Sequence, residues 1–166
     1  RQHFTVGRCA EARFDYVGFH LEQTTDGIMV TQNQYVESVS NYEMQPSRRS
    51  QKLDKLNPEE NKAFRALVGK LNWAAQGCRP DFAFSVVHFS TKFQNATVND
   101  MLSLMKCIKK LKESSSEVFI PKLTSPPDDW SIMVFSDAAH ANLTNNTIST
   151  SGYIVFLVDK QHHSIP

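Results

Sequence analysis

Residues 57–76, NPEENKAFRALVGKLNWAAQ, constrain this chain more than any other stretch. Asn57 is an N-cap residue, Pro58 takes the first helical position and Glu60 stands where a capping box wants it. A helix therefore starts there and runs to about Gln76. At about 100° per residue, Phe64, Leu67, Val68, Leu71 and Ala75 form one apolar sector, while Arg65, Gly69, Trp73 and Gln76 share a second sector about 80° wide. The first sector is core. The second poses a question, because glycine in mid-helix costs about 1 kcal/mol relative to alanine. One reading makes Gly69 a point of close packing between helices, with Trp73 buried. The other lays this face along a sugar-phosphate ribbon, with glycine letting the backbone approach, tryptophan offering an apolar plate, and Arg65 and Gln76 donating hydrogen bonds.

Two further helices and several strands surround it. Residues 12–32 alternate Val17, Phe19 and Leu21 against Tyr16, Gly18 and His20, then break at Thr24-Thr25-Asp26-Gly27 before a second apolar run, which predicts a β-hairpin. Arg79-Pro80-Asp81 ends the first helix. Phe82, Val86, Phe89 and Phe93 then recur at helical spacing, and a third helix from about Asn99 places Met101, Leu104, Met105, Ile108 and Leu111 on one face. Ser114-Ser115-Ser116 ends that helix, and Pro121 to Asp129, with Pro126-Pro127, reads as a linker. SIMVFSDAAHAN and TSGYIVFLVD then predict two strands joined by the polar loop Leu143 to Thr150. The expected fold class is α/β of the α+β kind: a hairpin, a three-helix region and the opening strands of a sheet.

Composition narrows the classes of function. The chain has 166 residues, 40% hydrophobic and 21% charged, which suits about one globular domain. A net charge of +1 gives no molecule-wide attraction to nucleic acid, so any such binding falls to local clusters such as Arg48, Arg49, Lys52 and Lys55, or Lys106, Lys109, Lys110 and Lys112. Cys9, Cys78 and Cys107 are odd in number and widely spaced, which argues against a disulfide framework or a zinc site and for a reducing, intracellular setting. No apolar run reaches membrane-span length and the polar start is no signal peptide. Asn95, Asn142 and Asn145 head chance N-x-T matches. His140 reads as a solvated loop residue, and adjacent His162 and His163 point to opposite faces of a strand, so none is assigned to a metal.

The motifs carry a resemblance. Leu67-Val68-Gly69-Lys70-Leu71-Asn72-Trp73-Ala74-Ala75-Gln76 resembles the thumb helix of retroviral and retrotransposon reverse transcriptases, which tracks the minor groove of the template-primer duplex. Phe14-Asp15-Tyr16-Val17-Gly18-Phe19-His20-Leu21, followed by Asp26-Gly27 and Ile28-Met29-Val30-Thr31-Gln32, resembles the primer grip of the same enzymes. The longer succession FxYVG, DGIxVxQxxYV, FRALVGKLNWAAQGCRPDFAF, FSDAAHAN and TSGYIVFL is similar to copia-type long-terminal-repeat retrotransposon polyproteins over essentially the whole chain.

That resemblance implies a reverse transcriptase and ribonuclease H fragment in three parts: the end of the palm with its primer grip over 1–34, the helical thumb and connection over 35–118, and the first strands of an incomplete ribonuclease H domain over 119–166. Tyr16, Val17, Gly18 and Phe19 would hold the primer, and Arg65, Gly69, Trp73 and Gln76 would face the groove. Asp137, in the S-D-A motif, would be the one catalytic and metal-binding residue, part of a site for two Mg²⁺ ions about 4 Å apart that cleaves RNA in an RNA/DNA hybrid. Many family members have Asp-Trp where this chain has Ala139-His140. The Y-x-D-D polymerase aspartates would lie upstream, and the remaining ribonuclease H carboxylates beyond Pro166, so the parent polyprotein would synthesise DNA while this chain alone would be inactive. Expected partners are a template-primer or RNA/DNA hybrid duplex and the rest of the polyprotein, in the cytoplasm, in a virus-like particle, or in the nucleus. Two other classes stand beside this: a noncatalytic nucleic-acid-binding module, and a degenerate element remnant whose strand around Tyr153 to Leu157 presents an aggregation-prone edge.

Overall fold

The computed structural model describes residues 12–115, 117–143, 148–161 and 164–165. Cys9, Asn145, His162 and His163 lie outside these, as do the side chains of His140 and Asn142. In chain order the elements are β1 (Arg13–Tyr16), β2 (Phe19–Gln23), β3 (Gly27–Thr31), α1 (Asn33–Ser38), α2 (Pro46–Ser50), α3 (Pro58–Gly77), a 3-10 turn at Pro80–Phe82, and α4 (Ala83–Ser90). They continue with α5 (Val98–Glu113), β4 (Glu117–Pro121), a 3-10 turn at Pro127–Asp129, β5 (Ser131–Leu143), β6 (Ile148–Val158) and β7 (Ser164–Ile165). The fold is α+β, with one sheet ordered β1-β2-β3-β4 and another ordered β5-β6-β7. Two compact units divide the chain: one takes the described residues of Arg1–Glu22 with Val30–Val118, the other Gln23–Met29 with Phe119–Pro166.

In the first unit, local signals set the helix starts. Asn57 accepts the Glu60 N–H through its side chain at 2.8 Å while the Glu60 carboxylate accepts the Asn57 N–H at 2.9 Å, so two otherwise unpartnered groups satisfy each other at the start of α3. Thr97 and Asp100 build the same reciprocal cap on α5, which therefore begins at Val98. The apolar sector of α3 meets α4 and α5 in a core that includes Phe64, Leu71, Met101, Leu104, Ile108 and Leu111, all fully buried.

Two arginines tie loops to this core. Arg48 grips both Glu60 carboxylate oxygens at 2.9 Å and also donates to Asp54 and to the Lys55 carbonyl. Buried Arg79 donates to the Leu111 and Ser114 carbonyls at the end of α5, at 2.9 and 2.7 Å, and makes a two-pronged pair with Asp81. The Arg-Pro-Asp segment thus ends α3 and caps α5 at once.

Several elements differ from the sequence expectation. The alternation through Tyr16-Val17-Gly18-Phe19 predicts one continuous strand, yet Tyr16 pairs with Phe19 and the chain reverses over Val17 and Gly18, with φ of 49° and 84°. A two-residue turn with both φ positive is the geometry a tight hairpin needs, and a β-branched residue there hides it from pattern reading. Phe93 lies beyond the end of α4 but still meets Phe64 edge-on at 6.3 Å. Helices α1 and α2 are single short stretches with no side-chain cap bond, too brief to show periodicity.

In the second unit, β4 was not legible as a strand. It lies beside β3, where a Cβ on Gly27 would run into the Ile120 carbonyl oxygen, so only glycine permits the approach. Strands β5 and β6 pair antiparallel from Ser131↔Val158 to Asp137↔Gly152 and on to Ala139↔Thr150. Buried Asp159 anchors the segment following β4 by accepting the Thr124 N–H at 3.0 Å.

Candidate nucleic-acid interface

The first unit brings the two halves of the predicted nucleic-acid site into contact. The tight turn of β1 and β2 sets Phe19 beside Trp73 on α3, with ring centroids 5.7 Å apart and planes tilted by 60°. A Cβ on Gly18 would lie 3.6 Å from the Tyr35 Cβ and 3.7 Å from the Trp73 Nε1, which is ordinary contact. Space therefore does not require glycine at 18; its φ of 84° does. Tyr35, on α1, completes the corner by donating its hydroxyl to the Lys70 carbonyl at 3.1 Å. Tyr16 and Val17 project from the hairpin tip, exposed.

Along α3 the second face is open. A Cβ on Gly69 would meet nothing within 4 Å, and Trp73 remains 38% exposed. The helix-packing reading of Gly69 is thereby overturned, because no described element approaches it. Arg65 lies over the Phe93 ring at 5.1 Å, which holds its cation at the surface beside the stripe. Gln76 donates to Asn72 at 3.3 Å at the other end. The face thus runs from a cation, across a bare backbone, to an aromatic plate braced by the hairpin.

No family model, curated protein or solved structure matches this chain.

Sequence reasoning missed Lys62 and Tyr35. Lys62 falls at about 60° on the same helical wheel, inside the Arg65 to Trp73 sector, and is exposed. That angle was a readable signal. Tyr35 lies within the DGIxVxQxxYV run, but its place beside Gly18 and its bond to the Lys70 carbonyl join segments distant in sequence and carry no local signal.

Asp137 belongs to the second unit, on β5 opposite Gly152. It is exposed, and its carboxylate accepts the N–H of Ala138 at 2.8 Å. Among the described residues no group of three or more His, Cys, Asp or Glu side chains could hold a metal ion. Among the described residues the donor at this position is one carboxylate, which does not fit a two-ion Mg²⁺ site.

Proposed function

We propose that this chain holds the template-primer or RNA/DNA hybrid duplex for a copia-type reverse transcriptase. In this reading 1–34 ends the palm, 35–118 is thumb and connection, and 119–166 opens a ribonuclease H-like domain. The observation that carries it is the open glycine on α3. Gly69 weakens its own helix, has no described residue packed against it, and lies one turn from an aromatic plate on which Phe19, just past the Val17-Gly18 turn, is docked. A duplex groove accounts for all three, because its walls need a flat apolar support and close backbone approach while its phosphates need cations such as Lys62 and Arg65. Tyr16 and Val17 at the tip would meet the primer strand. In the parent polyprotein, Asp137 would supply one carboxylate of an Mg²⁺ site completed by residues elsewhere. The work would be intracellular, in cytoplasmic particles or the nucleus, and among the described residues no helix is long and apolar enough to cross a membrane.

The test is equilibrium binding of a labelled RNA/DNA hybrid over a salt series. Binding is expected, with log affinity falling linearly in log salt as phosphate contacts are displaced. Gly69→Leu, placed in open space, should melt no lower than wild type, since leucine favours a helix more than glycine does, and should lose about tenfold or more in affinity, in line with a lost interface contact. Equal affinity in the two proteins refutes the assignment.

A further inference from the structure

A second surface of the first unit carries features that the duplex face does not use. On α4, Phe84 is 67% exposed and stacks on His88, with ring centroids 6.4 Å apart and planes 25° from parallel. The buried side of α4 is carried by Val86 and Phe89; His88 also meets the Phe89 ring edge-on, with centroids 5.5 Å apart, yet both His88 and Phe84 remain exposed. By helical angle, Ser85 lies next to His88 on the side away from Val87. Ser85 is also one wall of a cleft of about 440 Å³ between α4 and α5, whose other wall carries Ser103, Lys106 and Lys110, with Ser114 at the end.

The charges of that cleft are unbalanced. Arg79 and Asp81 also line it, but they are joined to each other by two hydrogen bonds of 3.0 and 2.8 Å. Lys109 and Glu113 pair along α5 at 3.8 Å. Lys106 and Lys110 have no carboxylate partner among the described residues. Four residues apart on a helix, they stand about 5–6 Å from each other at Cβ. A flat aromatic pair thus borders a cleft with two unpaired ammonium groups and three hydroxyl-bearing serines.

We infer that the α4–α5 surface binds an unpaired polynucleotide strand, with bases stacked on Phe84 and His88 and phosphates held by Lys106 and Lys110. Stacking rings next to a cationic groove are what a single strand requires, because an unpaired base offers its π-face where a duplex buries it. Ser103 donates its hydroxyl to the Asn99 carbonyl at 2.8 Å, which leaves Ser85 and Ser114 to meet phosphate; such contacts read no sequence, so DNA and RNA strands should both bind. This surface shares only its class of ligand with the duplex face on α3 and uses none of its residues.

The experiment measures anisotropy of labelled oligo(dT) and oligo(rU) 20-mers, and separately of a hybrid duplex, with the full chain. Phe84→Ala and the double variant Lys106→Gln/Lys110→Gln alter exposed side chains, so folding should survive, checked by melting. Both should weaken single-strand binding about tenfold, the scale of one lost base stack, and leave duplex binding unchanged. Gly69→Leu should do the reverse. Absence of 20-mer binding by wild type, or 20-mer binding unmoved by these variants, overturns the inference and leaves the duplex reading standing. Strand binding that follows these variants while the duplex is not bound supports the inference and sinks the duplex reading.

Discussion

Val17 adopts φ 49°, in the left-handed region that a β-branched residue disfavours, and it does so at an exposed hairpin tip. Strain of this kind amounts to about 1–3 kcal/mol and persists only where something else selects the residue. Val17→Asn supplies the side chain this turn geometry prefers. It should raise the urea midpoint by about 1 kcal/mol in stability terms with an unchanged m-value, and a fall would show that the valine side chain packs usefully. If Val17 contacts the primer, the more stable variant should also bind duplex less tightly. Acid sensitivity is set at the same scale. The hydrogen-bonded Arg48 guanidinium holds Glu60 below its ordinary value of 4.5 against the opposing effect of burial, with help from the Asn57 N–H. Arg79 lowers Asp81 from 3.8 in the same way. A depressed folded pKa contributes stability above the ordinary value and loses it as pH falls through the folded one. Chemical unfolding between pH 7 and 3 should therefore be flat above about pH 5 and decline below it. Arg48→Gln should flatten that decline, and an identical decline in the variant would remove Glu60 from the account.

Helix α3 serves packing with one face and leaves the other bare. Because no described residue lies within 4 Å of a Cβ at position 69, Gly69→Ala should stabilise the protein by about 1 kcal/mol through helix propensity alone. A thermal melt reads this directly, and a loss of stability would mean that some element covers the face in solution. The caps of α3 were readable from Asn57, Pro58 and Glu60, and its buried stripe from Phe64 to Ala75, since both depend on neighbours within one or two turns. The β1–β2 turn was not, because the signal that normally marks such a turn, asparagine or glycine at its first position, is replaced by valine. Strand β4 escaped for another reason: five residues ending in proline carry little period, and only the pairing with β3, about ninety positions earlier in the chain, makes them a strand.

At the scale of the whole molecule, the two units contrast in how they bury apolar surface. The first has a closed core. In the second, β5 and β6 carry Ile132, Val134, Phe135, Tyr153 and Ile154 exposed, and among the described residues cover of apolar side chains is confined to the Phe156–Val158 end of the ribbon. Strand β7 pairs with Leu157 and Val158, and among the described residues no strand pairs with the β6 edge over Tyr153–Phe156. Such a surface favours association. Sedimentation velocity should show concentration-dependent self-association, reduced in Tyr153→Lys without a change in melting temperature. Wild type that remains monomeric at high concentration would contradict this. Local chemistry sets where α3 and α5 begin, which stripe of each is buried, and that Arg65, Gly69 and Trp73 share a second face. Capping bonds and the helical repeat act over a few residues, so they can be read without a fold. The tertiary structure alone decided that Gly18 and Phe19 dock on Trp73, that the second face stays open, and that Arg79 reaches the end of α5. Each of these joins residues distant in sequence, and the free energy that selects such contacts comes from burial and pairing that exist only once the chain has folded.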